Sequence, residues 1–253
     1  MEKKGQVTIF IIIAIIIVAA GVLVYSFYPQ IKSSLGGGIK NPQAFIQECI
    51  EDELEETVEL VSLQGGDFNP KFFSTFDGIK IKNLCYTAQY CALCSVQEPQ
   101  LKPYIEREIK ENIKDTADAC FNSLKKSYEK KGYNAVLKPG TIDIELLPKR
   151  IVSVFNYSLT LTKGGDSERY DSFSAVLNNN LYELIAIANS ILEWERNYGK
   201  TDVTIYMDLY PNLKVGQKLL SDGTKIYIIT DRNIGNKFQF ASRSLVLSPS
   251  GYC

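Results

Sequence analysis

Residues 141–177, TIDIELLPKRIVSVFNYSLTLTKGGDSERYDSFSAVL, decide the fold class. Apolar and polar side chains alternate from Thr141 to Leu147, placing Ile142, Ile144 and Leu146 on one face, the period-two pattern of a half-buried strand. A second run, Ile151 to Thr162, leads through Gly164-Gly165-Asp166 into a third, Arg169 to Leu177. Two extended runs joined by a glycine turn read as an antiparallel hairpin. Helical patterns flank this block instead of alternating with its strands. Upstream, from about Lys102 or Pro103, the residues Ile105, Ile109, Ile113, Ala117, Cys120, Phe121 and Leu124 recur at helical spacing, and Gly132 marks the stop. Downstream, Asn180 to Tyr198 carries Leu181, Leu184, Ile185, Ala188, Ile191 and Leu192 on one stripe and is capped by Gly199. Val203 to Leu209, Lys225 to Thr230 and Lys237 to Leu247 read as further strands. Separate runs of helices and strands predict an α+β fold with a mostly antiparallel sheet.

Further upstream, Asn41-Pro42 supplies an N-cap and a first-turn proline. Phe45, Ile46, Cys49, Ile50, Leu54, Val58 and Val61 follow at helical spacing, with Gly65 where a C-terminal cap belongs. The helix is also acidic, through Glu48, Glu51, Asp52, Glu53, Glu55, Glu56 and Glu59. These carboxylates scatter around the helix, which makes them a solvated face and not a metal box. Phe68 to Cys94 is aromatic and turn-rich, and reads as extended segments with loops.

The amino-terminal region has a different character. No charge occurs from Val7 to Tyr28, and seven isoleucines lie between Ile9 and Ile17. Twenty-two helical residues rise about 33 Å, enough for a hydrocarbon core of about 30 Å. The seven isoleucines favour insertion by roughly 4 kcal/mol. Tyr25, Phe27 and Tyr28 suit the interfacial aromatic belt, and Lys3 and Lys4 precede the run. The expected organisation is a cytoplasmic basic leader over 1–6, a transmembrane helix over 7–28, a flexible tether over 29–41 and an extracellular α+β domain over 42–253. A cleaved secretory signal is the alternative, but its apolar region is shorter and ends at small residues, whereas Ala19-Ala20-Gly21 lies inside this run.

Lys3-Lys4-Gly5-Gln6 before a long apolar helix resembles an archaeal class III, type IV pilin-like signal. The resemblance implies cleavage between Gly5 and Gln6, with the apolar segment kept as an anchor or as the core of a filament. The longer string Lys4-Gly5-Gln6-Val7-Thr8-Ile9-Phe10 resembles the start of uncharacterised membrane-anchored surface proteins of DPANN-group archaea. That likeness extends over the helix bearing Cys49, its Leu63-Gln64-Gly65-Gly66 end and the helix bearing Cys120, and more loosely over the hairpin and third helix. It brings architecture and location, and no activity. Two departures favour a tethered ectodomain over a filament subunit. Phe10 stands where pilins of this type carry glutamate, and Pro29 with Gly36-Gly37-Gly38 interrupts the helix.

Six cysteines in a segment placed outside the cell read first as disulfides. Cys49 and Cys120 each lie on the apolar stripe of a helix, so packing the stripes brings them together. The bridge closes about 71 residues and is worth roughly 4 kcal/mol. Cys85, Cys91, Cys94 and Cys253 form a second cluster with three readings. These are two more disulfides that staple Cys253 onto the Cys85 to Cys94 loop, a four-thiolate zinc site with Cys91-Ala92-Leu93-Cys94 as its knuckle, or a redox-active CxxC.

The 253 residues contain 28 basic and 29 acidic side chains, so no basic face invites nucleic acid. The absence of histidine excludes Ser-His-Asp and Cys-His catalysis and removes the commonest zinc ligand. No phosphate loop or GxSxG elbow is present. Asp143 with Glu145, and Asp202 with Asp208, alternate along presumed strands and point to solvent. Asn156-Tyr157-Ser158 is a glycosylation sequon within a presumed strand. The functional expectation is a non-enzymatic, cofactor-free surface protein that is a structural or interaction module, contacting the membrane and a protein or cell-surface partner. A pilin-like filament subunit is the alternative and the one that requires oligomerisation; an ectoenzyme or CxxC redox protein comes third.

Overall fold

A computed structural model describes residues 41–246. The expectations for 1–40, including the span and the Gly5–Gln6 cut, and for Cys253 lie outside the described residues. Among the described residues no helix is long and apolar enough to cross a membrane.

Helix α1 (Pro42–Leu63) starts where Asn41 accepts from the Gln43 amide at 3.0 Å, with Pro42 at the first position. It ends in a Schellman turn. Gly65 takes φ +77°, and the Gly66 amide returns to the Val61 carbonyl at 2.8 Å. A methyl group on Gly66 would stand 2.9 Å from Ile105, so the turn also lets the next helix approach. That helix, α2 (Leu101–Glu129), buries Ile105, Ile109, Ile113, Ala117, Cys120, Phe121 and Leu124. It packs against Ile46, Ile50, Leu54, Val58 and Val61 of α1. Each such side chain stabilises by about 1.5–3 kcal/mol. The Cys49–Cys120 disulfide closes the pair, with Cα atoms 5.9 Å apart.

The strands are β1 (Phe73–Phe76), β2 (Ile79–Tyr86), β3 (Ser95–Val96), β4 (Asn134–Lys138), β5 (Ile142–Leu147), β6 (Arg150–Phe155), β7 (Ser158–Lys163), β8 (Asp166–Tyr170) and β9 (Phe173–Leu177). Helices α3 (Leu181–Tyr198) and α4 (Thr204–Leu209) come next, followed by β10 (Leu213–Leu219), β11 (Lys225–Asp231) and β12 (Lys237–Arg243). The larger sheet runs β1-β2-β12-β11-β10, with β3 added to β2. All its pairs are antiparallel except β2 with β12. Two three-stranded antiparallel sheets, β4-β7-β8 and β5-β6-β9, complete an α+β fold.

The hairpin forms around the Gly164-Gly165 turn, but each arm breaks in two, at Asn156-Tyr157 and at Asp171-Ser172. Its base pairs with β5 and its tip with β4. Packing sets the break. Phe121 of α2 stacks on Tyr157 at 4.2 Å and meets Phe155 and Phe173 edge-on at 5.8 and 5.0 Å. The Tyr157 hydroxyl reaches Asp118 at 2.5 Å. Gly140 lets the chain pass this corner, since a Cβ there would fall 1.8 Å from the Asn156 carbonyl oxygen. The sequon residue Asn156 therefore sits exposed at a corner and not inside a strand.

One expected strand is corrected. Residues 203–209 are mostly helix α4, entered through a local turn in which Asp202 accepts from the Thr204 amide and hydroxyl at 3.0 and 2.6 Å, bonding that competes with β-branched propensity. Asp208 is therefore on a helix. Tyr206 is the buried residue of α4, so the segment has no alternating face to bury. Strands β3, β4 and β10 are additional to those expected.

The free edge of β9 is covered by two side chains. Gln47 donates to the Val176 carbonyl at 3.2 Å and accepts from its amide at 2.7 Å. Gln43, one turn earlier, does the same with Ser174. Carboxamides at i and i+4 of α1 thus stand in for a neighbouring strand and blunt an edge otherwise open to aggregation. The Gln43→Ala/Gln47→Ala variant is expected to lose about 1–3 kcal/mol in urea denaturation and to aggregate at lower protein concentration by light scattering. Replacing Cys49 and Cys120 with alanine should cost about 2–4 kcal/mol in the same assay. An unchanged unfolding midpoint would show that α1 and α2 pack without the bridge.

Candidate functional site

Three polar constellations stand out in the described residues, and their differing access to solvent separates structural roles from functional ones.

The first is sealed. Glu195 of α3 is fully buried, and its carboxylate accepts from the Lys225 ammonium at 2.8 Å on both oxygens, from Tyr227 at 2.6 Å and from Ser242 at 2.9 Å. Lys225 also donates to the Gly199 carbonyl. Burial, reinforced by the adjacent Glu195 carboxylate, pushes the Tyr227 hydroxyl well above its usual range, so it stays a donor. All four side chains are spent on one another, which makes the cluster a fastener between α3 and β11–β12. Lys225→Ala strands a buried carboxylate and is expected to cost about 3–5 kcal/mol.

The second lies under the end of α1. Lys82 donates to Asp67 at 2.9 Å, contacts Glu98 at 3.1 Å and Tyr104 at 2.8 Å, and sits 4.3 Å from the Tyr104 ring centre. Tyr104 also donates to Asp67 at 2.6 Å. Burial opposes the charges of Lys82 and Asp67. The hydrogen bonds with Tyr104 and with each other outweigh it, raising Lys82 and lowering Asp67. Burial raises the neighbouring Glu108, which accepts from the Phe68 amide at 3.2 Å.

The third is open. Asp231, at the end of β11, is 6% exposed and gathers four donors. Its Oδ2 accepts from the Asn180 and Asn212 carboxamides at 2.9 and 3.2 Å, and its Oδ1 from the Asn233 and Ile234 amides at 2.8 and 3.4 Å. Asn236 then donates to Asn180 Oδ1 at 2.9 Å. Lys149, in the β5–β6 turn with φ +61°, donates its amide to Glu183 at 3.0 Å and receives the Asn179 amide at 3.2 Å. Four segments of chain are thereby tied around a groove of about 770 Å³. Tyr182, Tyr210 and Ile234 stand exposed along it, and Ala186, Ile187 and Leu213 supply apolar wall. This is the constellation with polar groups facing an accessible space.

The structure joins Cys49 to Cys120 and Cys85 to Cys94. Cys91 is also disulfide-bonded, so the two cysteines of the CxxC are not bonded to each other and Cys85 and Cys94 are not thiolates available to zinc. Asp143, Glu145, Asp202 and Asp208 are exposed, and among the described residues no group of three or more acidic or cysteine side chains is arranged to hold a metal ion. The groove residues were not singled out by sequence reasoning. The available signal was compositional, asparagine crowded into 178–180 and into the 231–236 turn, but asparagine is also an ordinary turn residue. Comparison with protein-family models, curated proteins and solved structures finds no match to this chain.

The charges around Asp67 generate a pH signature. A carboxyl held below its unfolded pKa stabilises above that value, about 3.9, and loses its contribution as pH falls through the folded one. Glu108, raised by burial, acts in the opposite sense. Asp67→Asn should therefore lower stability by about 1–3 kcal/mol at neutral pH, and its deficit relative to the parent should shrink as denaturation is repeated from about pH 5 down to about pH 2. A deficit independent of pH would refute the assignment.

Proposed function

We propose that this chain is a single-pass, membrane-anchored surface protein whose α+β body lies outside the cell and serves as an interaction module. The observation that carries the reading is that every described cysteine is oxidised, through Cys49–Cys120, Cys85–Cys94 and the bonded Cys91. Disulfides on this scale persist outside the reducing cytosol. The uncharged run over 7–28, with Lys3 and Lys4 before it, supplies the anchor and the direction. The sealed Glu195–Lys225 pair shows no opening for chemistry, and the absence of histidine removes the usual acid–base group. What remains open is a groove suited to holding something, which fits an interaction role.

The test is impermeant lysine biotinylation of intact cells, followed by alkaline carbonate extraction. The expected outcome is labelling of exposed lysines such as Lys114 and Lys138 before lysis, retention in the carbonate-resistant pellet, and no alkylation of Cys49, Cys85, Cys91, Cys94 or Cys120 without reductant. Labelling only after lysis would overturn the reading. A native mass beginning at Gln6, with detergent-resistant multimers, would move it to the pilin-like filament.

A further inference from the structure

Six of the chain's 15 asparagines line the groove at the start of α3. Three of them, Asn180, Asn212 and Asn236, are bonded into the Asp231 network. That network leaves a definite residue of unused polar groups. Oδ1 of Asn212 and of Asn236, the whole carboxamides of Asn178 and Asn233, and the hydroxyls of Tyr182 and Tyr210 have no hydrogen-bond partner among the described residues.

These groups are uncharged, and they mix donors with acceptors. Of the three charged side chains that line the groove, Asp231 is engaged by four N–H groups and Glu183 by the Lys149 amide, which leaves the exposed Lys149 ammonium as a single uncompensated charge among the described residues. A strongly anionic or cationic ligand would find no concentration of opposite charge here. A wholly apolar ligand would strip water from the carboxamides and leave them unpaired. A ligand rich in neutral hydroxyls meets neither obstacle, since each hydroxyl both donates and accepts, and one carboxamide can serve two adjacent hydroxyls. The exposed side chains of Tyr182, Tyr210 and Ile234 offer apolar surface for the C–H faces of sugar rings. The volume of about 770 Å³ is that of a ligand site and not of a packing defect.

We propose that this groove binds a neutral saccharide, taken as a short stretch of an oligosaccharide. The groove is built in advance. The Asp231 network ties the 231–236 turn to α3 and to Asn212, and Lys149, a non-glycine residue at positive φ, ties the β5–β6 turn to the same helix. Little ordering remains to be done on binding. The inference deepens the interaction-module reading and rests on it for the source of the ligand, a glycan of the cell envelope or matrix.

The experiment uses the full chain in lauryldimethylamine oxide, a detergent without a sugar headgroup. The protein is applied to a printed array of neutral glucan, mannan, galactan and N-acetylglucosamine oligomers, with sialylated and sulfated glycans as charged controls. The best neutral oligomer is then titrated by calorimetry into the parent and into Tyr210→Ala, Asn233→Ala and Trp194→Ala. The first two remove exposed groove side chains that carry no internal bond; Trp194 is exposed elsewhere on the chain. The expected result is binding to neutral oligomers, weakened about tenfold or more by Tyr210→Ala and about fivefold by Asn233→Ala, and unchanged by Trp194→Ala. No binding to any neutral oligomer, a preference for charged glycans, or parental affinity in both groove variants would overturn the proposal. The assay is independent of location. Failure here with intact surface labelling removes the saccharide alone, while binding here with labelling only after lysis removes the surface reading alone.

Discussion

A carboxylate with no exposure to water stands between α3 and the larger sheet, and the arrangement around it follows from the need to compensate it. Glu195 projects from α3 into the larger sheet and is met by Lys225 and Tyr227 of β11 and Ser242 of β12. An ionised group in such a place is tolerable only when paired and hydrogen-bonded on every side, and removing one partner costs far more than the pair contributes. α3 is therefore held to one register against β11 and β12. Ser242 is also the β-sheet partner of Cys85, so the Cys85–Cys94 disulfide packs against the same point. Four elements and one covalent bond converge on a single buried charge.

Locking one end of α3 positions the other. Its first turn meets the end of β11, where Asp231 collects donors from the 178–180 loop, from Asn212 and from its own turn. The groove is thus a consequence of two carboxylates that engage α3 near its two ends, one sealed at Glu195 and one lining an open space at Asp231. The sealed one holds the fold rigid. The open one organises uncharged carboxamides without offering its own charge to a ligand. In the strand that leads into the 178–180 loop the same logic of compensation appears in a softer form, where Gln43 and Gln47 complete the edge of β9 with side-chain groups in place of a strand.

Much of the fold was legible from periodicity. The stripe from Ile105 to Leu124 is buried residue for residue, and the Asn41-Pro42 start and Gly65 stop of α1 are where cap chemistry puts them. The Cys49–Cys120 bond was legible for the same reason, because two stripes that must pack bring their cysteines together. The segment 203–209 was misread because its β-branched and aromatic residues resemble a strand, while the turn that leads into the helix rests on one side chain, Asp202, bonding Thr204. The hairpin was visible, but its division at Asn156 was not, since the cause is Phe121, a residue from a helix more than thirty positions earlier in the chain.

By itself the sequence determined the type of the long helices and of the central hairpin, the α+β class, the uncharged 7–28 run with its basic flank, and the pairing of two helices through a disulfide. These are local facts, set by side-chain period, capping and composition. Only the tertiary structure decided the order of the strands, the choice of Cys85 for Cys94, the burial of Glu195 with Lys225, and the gathering of asparagines from positions as distant as 178 and 236 around one groove. Each of those depends on which distant residues become neighbours, and a compensating partner for a buried charge or carboxamide carries no mark in the chain until the fold brings it within about 3 Å.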